Sequence, residues 1–485
     1  MTWIENGRWE RWLVAAILLE FLALIAIRLL AIPMHVSFNY NEGWNAYFAQ
    51  NAMGAGVLYP PADSMFTNNY PPLSFYIVGA FGRVVGDNIV AGRLIAVLAL
   101  TIVAFNVSMF GRWLGADKRL AALSSGVFLL GVYAVMPDYI GINDPQFLAY
   151  AWVTSAAVVF LKTPRSHMWL GMSLSALLMA LGGLIKHSEI SLPLALCIWA
   201  AFHDRPRLVR FLVCALVIGA VVAASAYAGW GGEMVNAIFW GARMTVFWKI
   251  LPMVLRDIPF VLPYLILSII ALAMGRRNSH ASFVLIYLVW SLLIGCWMLS
   301  DYGVNQNVMC DAVIALALGA VLMVMAMADP VKRVPLRHLR RRAPALLLMT
   351  LPCMGAAFFV YSANPSLRDT ADIMNAPKWD KLYKTLAASH GEVACETLAV
   401  CYWAGKPMTI DFYNYGLRVL RGDVYVDASG GFYDKINHKD YAHVELEAGA
   451  LPRSRLPRVL IDAVFKNYKP VQSMGDTVLV MVPKS

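Results

Sequence analysis

Long apolar runs recur along this chain, separated by short polar stretches, and they occupy the first 362 positions. A helix rises about 1.5 Å per residue, so crossing roughly 30 Å of hydrocarbon takes about 20 mostly apolar residues. Eleven runs of about that size are present, at 12–32, 89–110, 120–137, 145–161, 168–185, 189–202, 208–229, 257–274, 281–300, 308–328 and 343–362. They predict eleven spanning helices, with 189–202 the shortest. The first run follows Arg8 and Arg11 and has no small-residue cleavage site after it, so it reads as a retained anchor. Beyond Asn364 the pattern changes to alternating, strand-like runs at 393–403 and 477–482, the second after a Gly475-Asp476 turn, with a helix-like stretch at 458–468 between them. The expected fold class is therefore mainly α, a polytopic transmembrane domain over 1–362 followed by a small α/β domain over 365–485.

Composition agrees, since 59% of the 485 residues are hydrophobic and only 14% charged, more apolar than a water-soluble core of this size requires. The net charge of +10 is spread over short inter-helix loops and forms no single basic stripe, which argues against nucleic acid as a partner. The charge reads instead as a topology signal, because Lys and Arg accumulate in cytoplasmic loops. With the N-terminus inside, the inner loops carry eighteen basic residues and the outer ones five: Arg83, Lys186, Arg243, Lys249 and Arg256. An odd number of spans then puts the C-terminal domain outside, in the periplasmic or extracytoplasmic space, with the body in the cell (inner) membrane. Cys197, Cys214, Cys296, Cys310 and Cys353 lie in apolar runs, and no cysteine spacing suits zinc. Cys395 and Cys401 lie outside and can pair, but two cysteines on one strand would make a strained bridge, so the reading leans against it.

Given this orientation, the polar chemistry gathers on the outer side. The first outer loop, 33–88, is the longest and opens with Asn39-Tyr40-Asn41-Glu42-Gly43-Trp44-Asn45-Ala46-Tyr47. Glu42 there can act as a base or serve as a solvated loop acid or helix cap. Asn68-Asn69-Tyr70-Pro71-Pro72-Leu73 forms a stiff turn that either walls a substrate site or starts an interfacial helix. Arg93 lies within the second run, where an unpaired cation is costly, so it needs a carboxylate or a lipid phosphate nearby. Asp144-Pro145 is a helix-start signature that does not exclude catalysis. Lys186-His187-Ser188-Glu189 offers a phosphate contact or an interfacial anchor. Asp301-Tyr302-Gly303-Val304-Asn305-Gln306-Asn307 suits sugar hydroxyls, and Arg243, Lys249 and Arg256 sit among Phe239, Trp240, Phe247 and Trp248 in a segment suited to the membrane interface.

In order and spacing these motifs resemble the GT-C glycosyltransferases, in particular the protein mannosyltransferase and aminoarabinose transferase group. The resemblance rests on Asn41-Glu42 after the first run, Tyr70 to Leu73, Arg93, Asp144-Pro145 and the Lys186 turn. It implies a sugar donor carried on polyprenyl phosphate, an acceptor hydroxyl on a lipid, glycan or protein at the outer face, and inversion at the anomeric carbon. On that reading Glu42 is the base with Asp144 as runner-up, and Arg93, Lys186, His187, Arg243 and Lys249 meet the donor phosphate. Tyr47, Tyr70, Asp301, Tyr302 and Asn305 then contact substrate. The family's first motif is usually Asp-Glu, whereas Asn41 cannot be a base. No cofactor follows from the residues; where a divalent metal is used, Glu42 and Asp144 would hold it. The rival reading is a transporter or flippase of lipid-linked sugars, which would place polar groups in broken helices near the midplane, often in repeated halves. The runs hold few ionisable groups, and no internal repeat is seen.

Overall fold

A computed structural model of the chain describes residues 8–239, 241, 243–274, 279–328, 335–363, 376–447, 456–474 and 478–485. Each of the eleven apolar runs is helical: α1 Arg8–Leu30, α4 Asn88–Trp113, α5 Lys118–Val135, α6 Gln146–Lys162, α7 Met168–Gly183, α8 Ser191–His203, α9 Arg205–Phe239, α10 Ile250–Met274, α11 Ser279–Leu299, α12 Cys310–Ala328 and α13 Pro335–Ala363. Among the described residues eight helices are individually long and apolar enough to cross a membrane. The 146–162 and 165–183 segments meet that requirement only as a pair, bent by 118°. α8 has 13 residues, about 20 Å, too short to span alone. The 33–88 segment also holds more helix than its polar composition suggests. It holds α2, Tyr40–Gln50, and α3, Leu73–Val85, the latter starting directly after Pro71-Pro72.

Side-chain caps set several of these starts. Asn39 accepts the Asn41 N–H at the head of α2, Asp87 accepts the Ile89 and Val90 N–H groups at α4, and Asp117 does the same for Arg119 and Leu120 at α5. The apolar core fills the space between α4, α5, α6, α7, α8, α10, α11 and α12, with α1 and α13 packed along its side. At one end of this bundle Arg342 and Arg119 pair with Glu10 at 2.8 and 3.5 Å. The opposite end carries α2, the 139–145 and 184–190 turns, and the C-terminal residues.

Those C-terminal residues form a four-stranded sheet in the order β1-β2-β4-β3: β1 Glu392–Cys395, β2 Tyr441–Glu447, β3 Tyr468–Met474 and β4 Val478–Pro483. β1 runs parallel to β2, and the other neighbours are antiparallel. Around the sheet lie α14 Ala376–Ala387, α15 Leu398–Trp403, α16 Phe412–Arg421, α17 Phe432–His438 and α18 Arg458–Asn467. Two expectations need correction. The 393–403 run is a short strand that turns into α15, and Cys395 and Cys401 are joined by a disulfide. Cys395 ends the strand while Cys401 sits on the helix, so the chain reverses between them and their Cα atoms come within 5.9 Å. The Gly475-Asp476 turn, Trp240, and the inner-loop basic residues Arg276, Arg277, Lys332 and Arg333 lie outside the described residues.

Candidate functional site

The site is built around α2, and its first feature is a fully buried ion pair. Glu42 Oε1 accepts from Arg93 Nε at 2.6 Å and Oε2 from Arg93 Nη2 at 2.8 Å, with neither side chain exposed. The remaining guanidinium hydrogens go to the carbonyls of Ala31, Ile32, Met34 and Val36, where the chain leaves α1. Arginine has five N–H donors, and here all are used within the protein. Glu42 also accepts the N–H groups of Phe38 (2.9 Å) and Asn143 (3.3 Å). The pair therefore binds the α1 exit, α2, α4 and the 139–145 turn into one unit. Arg93 has no hydrogen left for a phosphate, and Glu42 presents no free lone pair to a substrate.

Asp144 differs. Its Oδ1 accepts the Gln146 N–H at 2.9 Å, a capping contact, while Oδ2 accepts the Asn41 amide at 2.8 Å. Both partners are neutral donors. A small cavity of about 10 Å³, room for about one water, reaches Asp144 between Asn45, Ser74, Asn143 and Pro145. The Ser74 hydroxyl lining it has no hydrogen-bond partner. Next along the same surface, Lys186 Nζ donates to Gln146 Oε1 and stands 5.3 Å from the centre of the Tyr70 ring. The Gln146 amide donates to Glu189 Oε1 at 2.9 Å, and the Asn307 amide lies 2.7 Å from Gln146 Oε1. Burial raises the Glu189 carboxyl and the Tyr70 and Tyr139 phenols above their ordinary values; Lys186 opposes this at Glu189, while Asp144 adds to it at both phenols. Asn41, Asp144, Gln146, Lys186, Glu189, Tyr70, Tyr139 and Asn307 thus converge.

The remaining predicted residues form a neighbouring unit. Arg243 pairs with Asp301 at 3.3 Å and reaches His187 Nε2 at 3.4 Å, with more than half of its side chain exposed. Burial, and then the charges of Arg243 and Lys186, push His187 down to about 4, so its ring is neutral at pH 7. Asp301 also accepts the Met244 N–H at 3.1 Å, and Lys249 donates to the carbonyls of Asp301 and Val304. Lys249 therefore clips the 243–249 segment onto 300–304. Asn305 lies 3.5 Å from the Tyr139 hydroxyl, at the edge of the Asp144 group. Gly303, at φ 84°, lets Tyr413 pass so closely that a Cβ there would stand 1.8 Å from the Tyr413 hydroxyl. Tyr302 stacks on the same Tyr413 ring. Tyr47 turns to the C-terminal part, its hydroxyl donating to the Lys406 carbonyl at 2.6 Å.

That part also grips α2. Asp411, fully buried at the start of α16, accepts from the Tyr40 hydroxyl and from Trp44 Nε1 at 3.0 Å. Gly43 makes the close approach possible, because a Cβ there would stand 2.1 Å from the Ala399 nitrogen at the start of α15. Sequence reasoning gave no role to Gln146, Tyr139 or Asp411, and none to Asn41 as an amide donor. Among the described residues no group of three or more His, Cys, Asp or Glu side chains is placed to hold a metal ion. Glu42 is committed to Arg93 and does not fit, with Asp144, the paired donor set a divalent ion would take.

Comparisons with known proteins bear on the whole arrangement. Residues 69–230 match the family Dolichyl-phosphate-mannose-protein mannosyltransferase. No curated protein matches in sequence. The crystal structure of ArnT from Cupriavidus metallidurans in the apo state superposes with a TM-score of 0.63 at 13% identity, covering 98% of each chain. The same protein bound to undecaprenyl phosphate gives 0.60 at 13% identity, again covering 98% of each. The apo form of the Archaeoglobus fulgidus oligosaccharyltransferase gives 0.59 at 12% identity, over 93% of this chain and 71% of that one. The chain has the fold of ArnT over 98% of its length, and the mannosyltransferase family model matches the 69–230 segment within it.

Proposed function

We propose that this protein is an integral membrane glycosyltransferase that moves a sugar from a polyprenyl-phosphate donor to an acceptor hydroxyl at the outer membrane face, with inversion. The observation that carries the reading is the convergence of Asp144 and Lys186 at the bundle end that also holds α2 and the C-terminal part. A structure of this fold with undecaprenyl phosphate bound to ArnT supports the donor class. Residues 1–362 form the transferase body in this proposal, and 365–485 an outer domain that closes over α2.

Asp144 is the base in preference to Glu42, because its oxygens meet only neutral donors whereas those of Glu42 are held by a guanidinium. As the acceptor oxygen forms its bond to the anomeric carbon, Asp144 takes the hydroxyl proton, and the bond from that carbon to the phosphate oxygen breaks on the opposite side. The departing polyprenyl phosphate keeps both electrons of that bond. Lys186 and the exposed Arg243 neutralise the charge developing on it. Asn41 holds Asp144 in place through its amide, Tyr70 and Asn305 line the approach, and His187 takes part as a neutral acceptor for Arg243. Arg93, Glu42, Lys249 and Tyr47 hold the frame.

The test uses purified protein with undecaprenyl-phosphate-linked mannose, glucose and aminoarabinose as donors, following release of undecaprenyl phosphate. Turnover with one donor and a loss of about 10²- to 10⁴-fold in Asp144→Asn is expected. Undiminished turnover in that variant would remove Asp144 as base.

A further inference from the structure

A second feature lies at the other end of the bundle. α9, Arg205–Phe239, is long and apolar enough to cross a membrane by itself, so the residues at its start lie at the far end of the bundle from Arg243, which follows its last. There the starts of α7 and α9 meet in a groove of about 440 Å³ lined by Trp169, Arg205, Pro206, Val209 and Arg210. The three arginines at the head of α9 have divided their work. Arg207 turns inward, pairing with Asp204 at 3.1 Å and donating to the carbonyls of Phe160, Leu161 and Thr163 that end α6. Arg205 and Arg210 face the groove, and no carboxylate lines it.

Arg210 lies over the Trp169 ring, 5.6 Å from its centre, while its Nε is buried without a hydrogen-bond partner. Arg205 Nε reaches only the Ala201 carbonyl of the preceding helix. Two cations face one space, which favours an anion with several acceptor oxygens. Around the groove the surface is apolar and exposed, with Leu170, Phe202 and Leu216 each more than 70% accessible, as expected of side chains that meet acyl chains. A headgroup phosphate and its acyl chains would fit these two surfaces together.

We infer that the groove between Trp169, Arg205 and Arg210 binds the phosphate headgroup of an anionic phospholipid, in the leaflet opposite the proposed transfer site. The site is independent of the transfer chemistry, because its residues lie at the far ends of α7 and α9 from Lys186 and Arg243.

Native mass spectrometry of the full chain in detergent, titrated with phosphatidylglycerol and with phosphatidylcholine of the same acyl length, tests it. Wild-type protein should retain phosphatidylglycerol preferentially. Each arginine contributes about five-fold, so Arg205→Ala with Arg210→Ala should weaken phosphatidylglycerol roughly 30-fold and leave phosphatidylcholine unchanged. The thermal unfolding midpoint in the same detergent serves as the control for folding. Where the double variant fails that control, Arg210→Gln alone, expected about five-fold weaker, decides. Equal retention of the two lipids by wild type would overturn the inference. So would a variant within two-fold of wild type, or inorganic phosphate displacing phosphatidylglycerol at comparable concentration.

Discussion

Glu42 and Asp144 make opposite predictions that one pair of isosteric substitutions separates. Glu42→Gln keeps the size of the side chain but removes the only carboxylate among the described residues that meets Arg93, a cation with no solvent exposure. Leaving one member of a buried pair uncompensated costs about 3 to 5 kcal/mol. Four carbonyls remain around this guanidinium, so the lower end, about 3 kcal/mol, is expected, a shift of more than about 100-fold in the folded-to-unfolded ratio. Asp144→Asn loses one hydrogen bond at most, because an amide oxygen still satisfies one of the two donors, and about 1 kcal/mol is expected. The assay is the monodisperse fraction surviving a heating series in detergent, read alongside transfer with the active lipid-linked donor. Glu42→Gln should fall early in the series and retain turnover per folded molecule. Asp144→Asn should survive nearly as wild type and lose turnover. A Glu42→Gln protein as heat-resistant as wild type but inactive would refute the assignment.

Lys186→Met removes the cation beside Gln146 and Tyr70, and undecaprenyl phosphate binding measured by native mass spectrometry should weaken about 10- to 100-fold, the worth of one charge-assisted hydrogen bond. Gly43→Ala drives a methyl group into the Ala399 backbone and should cost about 1 to 3 kcal/mol, seen as earlier proteolytic release of the C-terminal part. In β2, Glu445 is fully buried and is pushed up to about 8 by burial and by Glu396. A raised folded pKa contributes stability that is complete below the ordinary value of 4.5 and is lost as pH climbs through 8. Thermal stability should therefore decline between pH 4.5 and 8, and Glu445→Gln, neutral throughout, should flatten that slope.

The helical body was legible because lipid leaves the chain little choice: an apolar run of about 20 residues can satisfy its backbone there only as a helix. The helices of 33–88 were harder to read, since α2 is short, polar and capped by tertiary contacts as much as by Asn39. The need of Arg93 for an anion was readable from its position in an apolar run, but not which anion; Glu42 lies 51 residues away and the pairing depends on how α2 folds back. Asn41 looked like a lost base, and only the 2.8 Å contact with Asp144 gives its amide a purpose. Asp411 carried no signal beyond a helix start, because its partners lie more than 360 positions earlier. The disulfide was missed because an alternating run of 393–403 hid a strand that becomes a helix in mid-course.

The clasp between Gly43 and Ala399 has a consequence for the order of assembly. α2 emerges from the ribosome among the first elements, yet the residues that buttress it, Ala399 and Asp411, are synthesised more than 350 positions later, the first inside the loop closed by the Cys395–Cys401 bridge and the second beyond it. A nascent chain that has inserted all its helices still has an unsupported α2. In the enzyme proposed above, α2 would gain these partners, and with them competence for transfer, only once the last fifth of the polypeptide has been made and folded.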